Sequence, residues 1–341
     1  MGMTIGILMA TFNGARFLGA QLASIAAQTH RDWHLHVRDD GSTDATPEIL
    51  AAFARAHPGR VTLHRDDHGR LGARGNFARL MGAAGEPYIA FSDQDDVWHA
   101  DRLARGLARL RALEAAMAPG TPCLVHSDRR VIDAGGAERA ASFWRSRGIG
   151  PSDFGALEAH YAFPVAAGST MLLNRALLDL ARPVPSGARM YDSWVELVAL
   201  AFGAVAPIDA PLVDHRRHGG NATGPAADND SARARRPLAR LLRLLRNLDR
   251  QRAVYAACFD QASALLARHG GDLPEGERRR LEAFLALPDQ GFPGRLRTVA
   301  ATGTAPPGRG RGLVLAWLSG GVVPPAAGAW AEGLGVPAAE R

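Results

Sequence analysis

Three aspartates stand within four positions directly after a short apolar run. Residues 88–92 have the length and composition of a buried strand, and Asp93, Asp95 and Asp96 follow them. Carboxylates this close together repel one another unless some are protonated or a bound cation compensates them. The stretch therefore predicts a divalent metal site. A solvated acidic turn that caps the helix after Trp98 accounts for it equally well, so other parts of the chain must decide.

Polar residues also follow two earlier apolar runs. Residues 5–10 are apolar and lead into the polar turn 11–14, and the alternating run 33–37 stops at the polar stretch 39–44. Apolar residues at helical spacing lie between these runs, as in a parallel sheet covered by helices. Ligands bind such sheets outside the carboxyl ends of the strands. One cleft is therefore expected to collect all three polar groups.

The same patterns predict the elements that hold these residues, and they indicate an α/β fold with a mostly parallel, helix-covered sheet. A polar linker at 225–235 separates a first domain, 1–224, from a basic, mainly helical carboxy-terminal region, 225–341. The predicted strands cover 5–10, 33–37, 61–64, 88–92, 166–174, 205–208 and 212–213. The predicted helices cover 16–27, 76–84, 101–117 and 236–267, with two more around 49–53 and from 191.

All 40 basic residues are arginine, and the formal net charge is +6. A GC-biased genome explains this arginine content more simply than nucleic-acid binding, so nucleic acid is not an expected partner. Arginines cluster at 233–252, on a helix whose other face repeats leucine. Such a basic amphipathic helix binds anionic membrane, packs on the protein's own core or forms an oligomerisation arm. We expect this helix to pack on the protein's own core and to make a weak peripheral contact with the membrane. The sequence does not indicate an oligomeric state.

The two cysteines, Cys123 and Cys258, lie far apart and lack metal-ligand spacing. They indicate neither a disulfide scaffold nor a zinc site, and they fit a reducing compartment. The amino terminus lacks the basic segment and long apolar run of a secretory signal. Residues 313–323 are too short and too glycine-broken to span a bilayer. We expect a cytoplasmic protein with peripheral contact at the inner face of the cell membrane.

Several motifs recur in an order that is typical of one enzyme family. They are Thr-Phe-Asn at 11–13, Gln-Thr at 28–29, Arg-Asp-Asp-Gly-Ser-Thr-Asp at 38–44, Phe-Ser-Asp-Gln-Asp-Asp-Val-Trp at 91–98, Asp-Ser-Trp at 192–194 and His-Arg-Arg-His at 215–218. This series resembles glycosyltransferase family 2, the inverting nucleotide-sugar transferases, and is most similar to the bacterial rhamnosyltransferase-like branch. The resemblance covers residues 3–224 and implies the fold of the nucleotide-diphosphosugar transferases.

The resemblance implies that residues at the first strand ends bind the nucleotide. The aspartate corresponding to Asp40 reads the base or ribose of the donor, with Ala10, Thr11 and Asn13 nearby. A carboxylate suits this role because it accepts a hydrogen bond from a pyrimidine imide N–H. Arg74 stands where the family often places another nucleotide contact. Turn formation and helix capping are the competing explanation for Asp40.

The resemblance also implies a Mg²⁺ or Mn²⁺ ion, which prefers oxygen ligands and bridges protein carboxylates to substrate phosphates. It implies Asp95 as the direct ligand and Asp93 as a contact to the metal, the nucleotide or the sugar. His218 either completes the metal shell or contacts the diphosphate, unless 215–218 is only a basic surface turn. Asp96 either faces the donor sugar or begins the next helix.

Asp192 corresponds to the family's catalytic base, which takes the proton of the acceptor hydroxyl as its oxygen attacks the anomeric carbon. Helix N-capping also explains an aspartate at this position, and the two roles are compatible. Trp194 offers an apolar face for an acceptor sugar, although a core position is the more common explanation. Gly168 and Ser169 are implied as part of the acceptor wall.

The resemblance predicts a metal-dependent inverting glycosyltransferase that moves a sugar from a nucleoside diphosphate sugar to a hydroxyl of a bacterial surface or cell-wall glycan, free or lipid-linked. It favours L-rhamnose from dTDP-rhamnose, with UDP-hexose or UDP-N-acetylhexosamine as alternative donors. A sugar nucleotidyltransferase also uses metal-binding carboxylates, but residues 11–16 are a poor version of its glycine-rich, basic phosphate loop. A binding or scaffold protein would be expected to lose an acidic ligand or the base, and neither is lost.

Overall fold

A computed structural model describes residues 3–151, 166–220 and 248–304. These residues belong to two compact units. The first unit holds 3–151, 166–183 and 190–220, and the second holds 184–189 and 248–304. The predicted domain boundary between residues 224 and 225 lies outside the described residues and stays a prediction.

The first unit alternates strands and helices along most of its length. Its strands are β1 (Ile5–Thr11), β2 (Trp33–Asp39), β3 (Val61–His64), β4 (Tyr88–Ser92), β5 (Val97–Trp98), β6 (Cys123–Asp133), β7 (Glu138–Ala140), β8 (Met171–Asn174) and β9 (Ala204–Arg217). Its helices are α1 (Ala15–Ala26), α2 (Thr46–Ala56), α3 (Gly72–Ala83), α4 (Arg102–Ala115), α5 (Phe143–Arg147), α6 (Arg175–Ala181) and α7 (Tyr191–Phe202).

The described strands form one sheet in the order β3-β2-β1-β4-β8-β6-β9-β5, with β7 paired to β6. The first four strands of this order are parallel, as the βα alternation predicts. Strand β8 runs antiparallel to both β4 and β6. The predicted α/β fold class is confirmed, and β8 makes the sheet mixed where the sequence predicted mostly parallel pairing.

The register of the central strands brings the predicted polar groups to one edge. Thr11 lies opposite Asp39, and Met9 lies opposite Ser92, the residue before the first aspartate of the acidic stretch. Neighbouring strands are about 4.8 Å apart, so three adjacent strand ends fit within about 10 Å. The cleft predicted from the strand ends is therefore present.

Apolar side chains hold this edge in place from beneath. Alternate residues of β1 (Ile5, Ile7 and Met9) are fully buried and join one core cluster with leucines of α1 and α4. Burying one such side chain contributes about 1.5–3 kcal/mol, and the sequence spacing of 2 in the strand and 3 to 4 in the helices produces the match. The site thus stands on regular elements rather than on long loops.

Three boundaries differ from the predicted ones. The stretch 166–174 is a strand only from Met171, because Gly168–Thr170 forms a 3₁₀ turn. The predicted strands at 205–208 and 212–213 form the single strand β9, in which an irregularity in the pairing with β6 between Ile208 and Pro211 accommodates the break. Helix α3 begins at Gly72 and not at 76, for a reason given below.

The second unit is helical in the described residues, with α8 (Leu248–His269), α9 (Glu275–Leu285) and α10 (Phe292–Thr302). Its core includes Phe259 and Phe284, whose rings stack with centroids 4.5 Å apart. This confirms a mainly helical extension. The predicted helix 236–267 is helical from residue 248, and its leucines at 238–245 lie outside the described residues. Of the helices that the structure describes, none is long and apolar enough to cross a membrane.

Candidate active site

The acidic turn, residues 93–96, is fixed to the end of β1 by an amide. Gln94 donates through Nε2 to the Phe12 carbonyl at 3.0 Å and accepts the Phe12 N–H through Oε1 at 2.9 Å. A Cβ on Gly14 would stand 2.2 Å from Gln94 Oε1, so only glycine leaves room for the pair. The turn and the β1 end therefore form one rigid wall.

Three loops, residues 12–14, 41–46 and 69–72, form a second group that we name the amino-terminal rim. It adjoins the first wall at Phe12. Asn13 has a left-handed backbone (φ 47°), and its N–H donates to Ser42 Oγ at 2.8 Å. The Thr43 N–H donates to Asn13 Oδ1 at 2.8 Å. At the start of α1, the Gly14 N–H donates to Thr46 Oγ1 at 2.9 Å. These crossed contacts hold the first two loops of the rim together.

Asp40 organises the third loop of the rim. Its carboxylate is 3% exposed and accepts hydrogen bonds from Arg38, from Leu71 N–H at 2.8 Å and from Gly72 N–H at 2.7 Å. Arg38 also binds Asp66 through two nitrogens. Because Asp40 supplies the carboxylate that accepts the first amides of α3, this helix starts earlier than local capping rules predict.

The predicted donor contacts divide into buried and exposed side chains. Thr11 is 2% exposed and donates to Asp39 Oδ1 at 2.8 Å, so its side chain, like that of Asp40, is held by the chain itself. Asn13 and Arg74 are exposed, and Ala10 is half-buried. Direct contact of all five residues with a donor stays a prediction, including the predicted contact of Asp40 with the base or ribose.

Negative charge is concentrated at the acidic turn. Burial, followed by the charges of Asp96, Asp95 and Asp192, raises the pKa of Asp93 well above its usual value. Burial and Asp96 also raise the pKa of Asp95, although His218 acts in the opposite direction. Such repulsion is what a bound cation would relieve.

The side chains of Asp95 and His218 form a hydrogen bond. His218 Nε2 lies 2.8 Å from Asp95 Oδ2, and the Gly220 N–H donates to His218 Nδ1 at 3.1 Å. Because Nδ1 is an acceptor here, Nε2 carries the ring proton and donates to Asp95. Arg216 Nε donates to the Asp95 backbone carbonyl at 3.1 Å. The two residues predicted to share a metal are therefore neighbours, and residues 215–218 belong to the site rather than to a surface turn.

Asp96 is fully buried and does not begin a helix, which was one of its two predicted roles. It precedes β5, and its Oδ1 accepts from His215 Nδ1 at 3.0 Å and from Arg216 N–H at 3.1 Å. Burial alone would raise the pKa of Asp96, but His215 and the Arg216 amide hold it below its usual value. Asp96 therefore anchors the end of β9, directly before His218. Its Oδ2 is buried without a hydrogen-bond partner among the described residues, and a contact with the donor sugar stays a prediction.

Asp192 lies in the first turn of α7 and is half-buried. Its Oδ2 accepts from Gly168 N–H at 3.0 Å, and its Oδ1 accepts from Ser193 N–H at 2.7 Å. Asp192 is not the N-cap residue, because Met190 occupies that position, but its Oδ1 does accept one of the free amides of the first turn. A Cβ on Gly168 would stand 2.2 Å from Tyr191 Oη, so glycine is required where the amide meets Asp192.

Aromatic packing fixes the start of α7. The Tyr191 ring stacks on Phe77 with centroids 3.9 Å apart and meets Phe91 edge-on at 4.8 Å. Trp194 is fully buried, and its indole N–H donates to the Ala181 carbonyl at 2.7 Å. Trp194 is therefore a core residue and not an acceptor platform, the more common of its two explanations. The carboxylate of Asp192 stands on a rigid base.

The donor set fits Mg²⁺ or Mn²⁺ in part. Asp95 and Asp93 offer carboxylate oxygens, which such ions prefer. His218 would offer Nε2 only after losing the proton that this nitrogen donates to Asp95. In the described part of the chain, no three His, Cys, Asp or Glu side chains converge closely enough to hold a metal ion alone. This fits an ion that takes its remaining ligands from phosphate oxygens and water.

Comparison with known proteins decides the family. The sequence matches the profile described as "Glycosyl transferase family 2" over residues 6–179, just over half of its 341 residues. The chain belongs to glycosyl transferase family 2. The family predicted from the motifs is confirmed.

Individual family members resemble the chain at low identity. It is 25% identical over 228 residues to an uncharacterized glycosyltransferase, alr2836, of Nostoc sp., covering 64% of this chain and 66% of that protein. It is 35% identical over 102 residues to the dTDP-rhamnosyl transferase RfbG of Shigella flexneri, covering 29% of this chain and 35% of RfbG. The chain thus spans less than two thirds of the length of these curated relatives.

A solved structure of similar fold is that of S. aureus TarS residues 1–349 in complex with UDP-GlcNAc. It superposes with a TM-score of 0.56 at 13% identity, over 88% of this chain and 82% of the TarS chain. At this identity the likeness concerns the fold alone. It agrees with the predicted nucleotide-sugar transferase fold of the family.

Two residues of the site were missed by sequence reasoning. Gln94 stands within the acidic motif, but its pairing with Phe12 depends on a contact 82 positions away. Arg129 lies on β6, where the charges of Asp96, Asp93 and Asp192 act on it. Nothing in its sequence neighbourhood separates it from the other arginines of the chain.

Proposed function

We propose that this chain is a metal-dependent inverting glycosyltransferase that uses a nucleoside diphosphate sugar. The observation that carries the proposal is the placement of two kinds of carboxylate in one cleft. Asp95 faces His218 at 2.8 Å, and Asp192, held by the Gly168 amide, lies close enough to raise the pKa of Asp93. This placement supports the assignment of a leaving-group side and an acceptor side, both of which an inverting transfer requires.

On the leaving-group side, Asp95 would hold Mg²⁺ or Mn²⁺, with Asp93 and His218 in support. The ion would stabilise the negative charge on the departing nucleoside diphosphate. The base and ribose are proposed to lie against the amino-terminal rim, near Ala10, Thr11, Asn13 and Arg74, with Asp40 as the contact to the base or ribose. The rigid contacts within the rim fit this role because a preformed pocket loses less entropy on binding.

On the acceptor side, Asp192 is proposed to take the proton of the attacking hydroxyl. The Gly168 and Ser193 amides orient its carboxylate and leave it half-buried, so that a hydroxyl can reach it. The acceptor oxygen then forms a bond to the anomeric carbon as the bond to the diphosphate breaks on the opposite face. The product carries the inverted configuration.

The donor we favour is dTDP-L-rhamnose, because the motif series is most similar to the rhamnosyltransferase-like branch and because RfbG is among the relatives. UDP-hexose and UDP-N-acetylhexosamine are the alternatives. The acceptor is proposed to be a bacterial surface or cell-wall glycan, free or lipid-linked. We place the protein in the cytoplasm, at the inner face of the membrane. Family membership sets aside the sugar nucleotidyltransferase, and the intact set of carboxylates argues against a scaffold protein.

The test is donor turnover by the full chain with dTDP-rhamnose, UDP-glucose and UDP-GlcNAc in Mn²⁺. We expect slow release of nucleoside diphosphate from one donor to water, stopped by a chelator, with dTDP-rhamnose the fastest. A faster UDP-sugar would overturn the rhamnose assignment alone. Equal release with and without chelator would overturn the metal-dependent mechanism.

A further inference from the structure

Arg129 lies near several carboxylates, since the charges of Asp96, Asp93, Asp192 and Asp128 act on it, but its guanidinium contacts none of these four directly. Its guanidinium carbon lies 4.3 Å from the centroid of the Phe143 ring. In the described part of the chain, the guanidinium makes no hydrogen bond and no ion pair. A half-buried guanidinium normally pairs with an anion, since burial without one is unfavourable.

The carboxylate of Asp128 fixes the backbone at Arg129. Asp128 is 2% exposed, and its Oδ1 accepts from Arg129 N–H at 2.7 Å and from Trp144 N–H at 3.1 Å. Its Oδ2 accepts from Ser142 Oγ. One buried carboxylate thus fixes the arginine and the start of α5, whose Phe143 supports the guanidinium.

Two further arginines lie beside it, and we name Arg129, Arg147 and Arg217 the arginine cluster. The Arg147 guanidinium lies 5.3 Å from the same Phe143 ring. Burial and the charges of Arg129 and Arg147 together lower the pKa of Arg217. Like charges brought together in this way repel one another, and an anion bound between them would relieve that repulsion.

The sheet order places the cluster on the side of the acidic turn away from the amino-terminal rim. The rim lies at the ends of β1 and β2, whereas Arg129 is on β6 and Arg217 ends β9. In the order β2-β1-β4-β8-β6-β9, β4 carries the acidic turn between the two sides. The charge of Asp192, the residue proposed to take the acceptor proton, also acts on Arg129.

We propose that the arginine cluster binds a phosphate or diphosphate group of the acceptor, with Arg129 as the central contact. A guanidinium binds phosphate oxygens through two parallel N–H donors, and the Phe143 ring keeps its plane fixed. The inference rests on the proposed function in one respect, that Asp192 marks the acceptor side. The same chemistry suits a free sugar phosphate and a lipid-linked diphosphate.

The experiment compares the full chain with Arg129→Gln, Arg129→Lys and a matched control, Arg55→Gln, an exposed arginine of α2. Inorganic phosphate is titrated with and without saturating nucleoside diphosphate and Mg²⁺. Sedimentation with phosphatidylcholine vesicles, with or without farnesyl diphosphate, tests the lipid-linked source. Nucleoside diphosphate binding in Mg²⁺ is measured on every variant, and circular dichroism checks that each is folded.

We expect Arg129→Gln to weaken phosphate binding about tenfold, the loss of one charge-assisted contact. The phosphate affinity of Arg129→Lys should lie between those of Arg129→Gln and the unchanged chain. The phosphate affinity of Arg55→Gln should equal that of the unchanged chain. Nucleoside diphosphate affinity should not change. Vesicle binding that requires both farnesyl diphosphate and Arg129 would assign the lipid-linked source, and phosphate binding alone would assign the free one.

Unchanged phosphate affinity in Arg129→Gln and Arg129→Lys would overturn the inference. So would a parallel loss of nucleoside diphosphate binding, because the cluster would then serve the donor. Absence of metal-dependent nucleotide binding in the unchanged chain would instead count against the proposed function. The titration without nucleotide still decides the arginine cluster in that case.

Discussion

Gln94 binds Phe12 through both ends of its side-chain amide, at 3.0 and 2.9 Å. This pair joins the acidic turn, which carries the proposed metal ligands, to the β1 end, where the nucleotide is proposed to lie. Two loops that are proposed to contact different parts of one donor are thereby held at a fixed distance. Such preorganisation favours binding of a diphosphate that must reach both.

The first prediction concerns Gly14→Ala. The added Cβ would displace the Gln94 amide, so we expect the loss of two hydrogen bonds and a destabilisation of about 1–2 kcal/mol. Urea unfolding measures this change. In a Gln94→Ala background the same substitution should have almost no effect, because the displaced group is gone.

Gly19→Ala is the matched control, since this glycine lies in α1 and has nothing within 4 Å of its added Cβ. Alanine there should stabilise the protein by about 0.5–1 kcal/mol. Equal effects of Gly14→Ala with and without Gln94 would refute the steric explanation.

Asp192→Asn tests the proposed base. Asparagine keeps an oxygen for the Gly168 amide but does not accept a proton, so kcat should fall about 10²–10⁴-fold while donor affinity stays the same. The measurement is steady-state transfer together with donor titration. Asp101→Asn, a half-exposed aspartate at the start of α4, should leave both unchanged. A loss confined to donor affinity would contradict the role of base.

Asp96→Ala should act on stability, since Oδ1 of Asp96 accepts two hydrogen bonds from the end of β9. Removing its carboxylate leaves the His215 Nδ1–H and the Arg216 N–H unpaired in a buried place, which costs about 2–3 kcal/mol. Denaturant unfolding measures the effect, and Asp96→Asn, which keeps an acceptor oxygen, should be milder. If Asp96→Ala unfolds like the unchanged chain yet fails to bind donor, Asp96 is a ligand contact after all.

Protonation of Glu86 should make the first unit less stable in acid. Burial raises the pKa of Glu86, but the hydrogen bond from His36 at 2.8 Å, together with its charge and the Gly85 amide, lowers it from 4.5 to about 2. A pKa depressed in the folded state stabilises it above the unfolded value. The contribution is therefore complete above pH 4.5 and is lost as pH falls towards about 2.

Converted at 1.36 kcal/mol for each unit of pKa, this contribution is at most about 3 kcal/mol. Urea unfolding between pH 6 and pH 3 should show a decline that is shallower in Glu86→Gln. The same slope in both proteins would exclude Glu86 as its source.

Strand ends were predictable because each depends on a local signal. Apolar runs ending at Thr11, Asp39 and Asp93 fix both the strand and its polar edge, and parallel alternation brings the three ends together. Asp192 was found through its motif. Its orientation by Gly168 was not, since the 3₁₀ turn that aims that amide resembles a strand in sequence.

The remaining features depend on contacts between distant residues. The carboxylate at the start of helix α3 belongs to Asp40, which lies 32 positions before Gly72. Capping rules consider only neighbouring residues and therefore do not find it. Asp96 is aspartate like its neighbours, and only the position of β9 shows that it is a buried anchor. Arg129 is one arginine among 40 basic residues, and only the fold sets it apart.

The most direct test of the central claim is calorimetric titration of the full chain with dTDP and UDP, with and without Mn²⁺. We predict binding that requires Mn²⁺, favours dTDP, and is lost in Asp95→Asn but retained in Asp101→Asn. Binding of equal strength without Mn²⁺, or binding unaffected by Asp95→Asn, would contradict the account of this cleft as a metal-dependent nucleotide-sugar site.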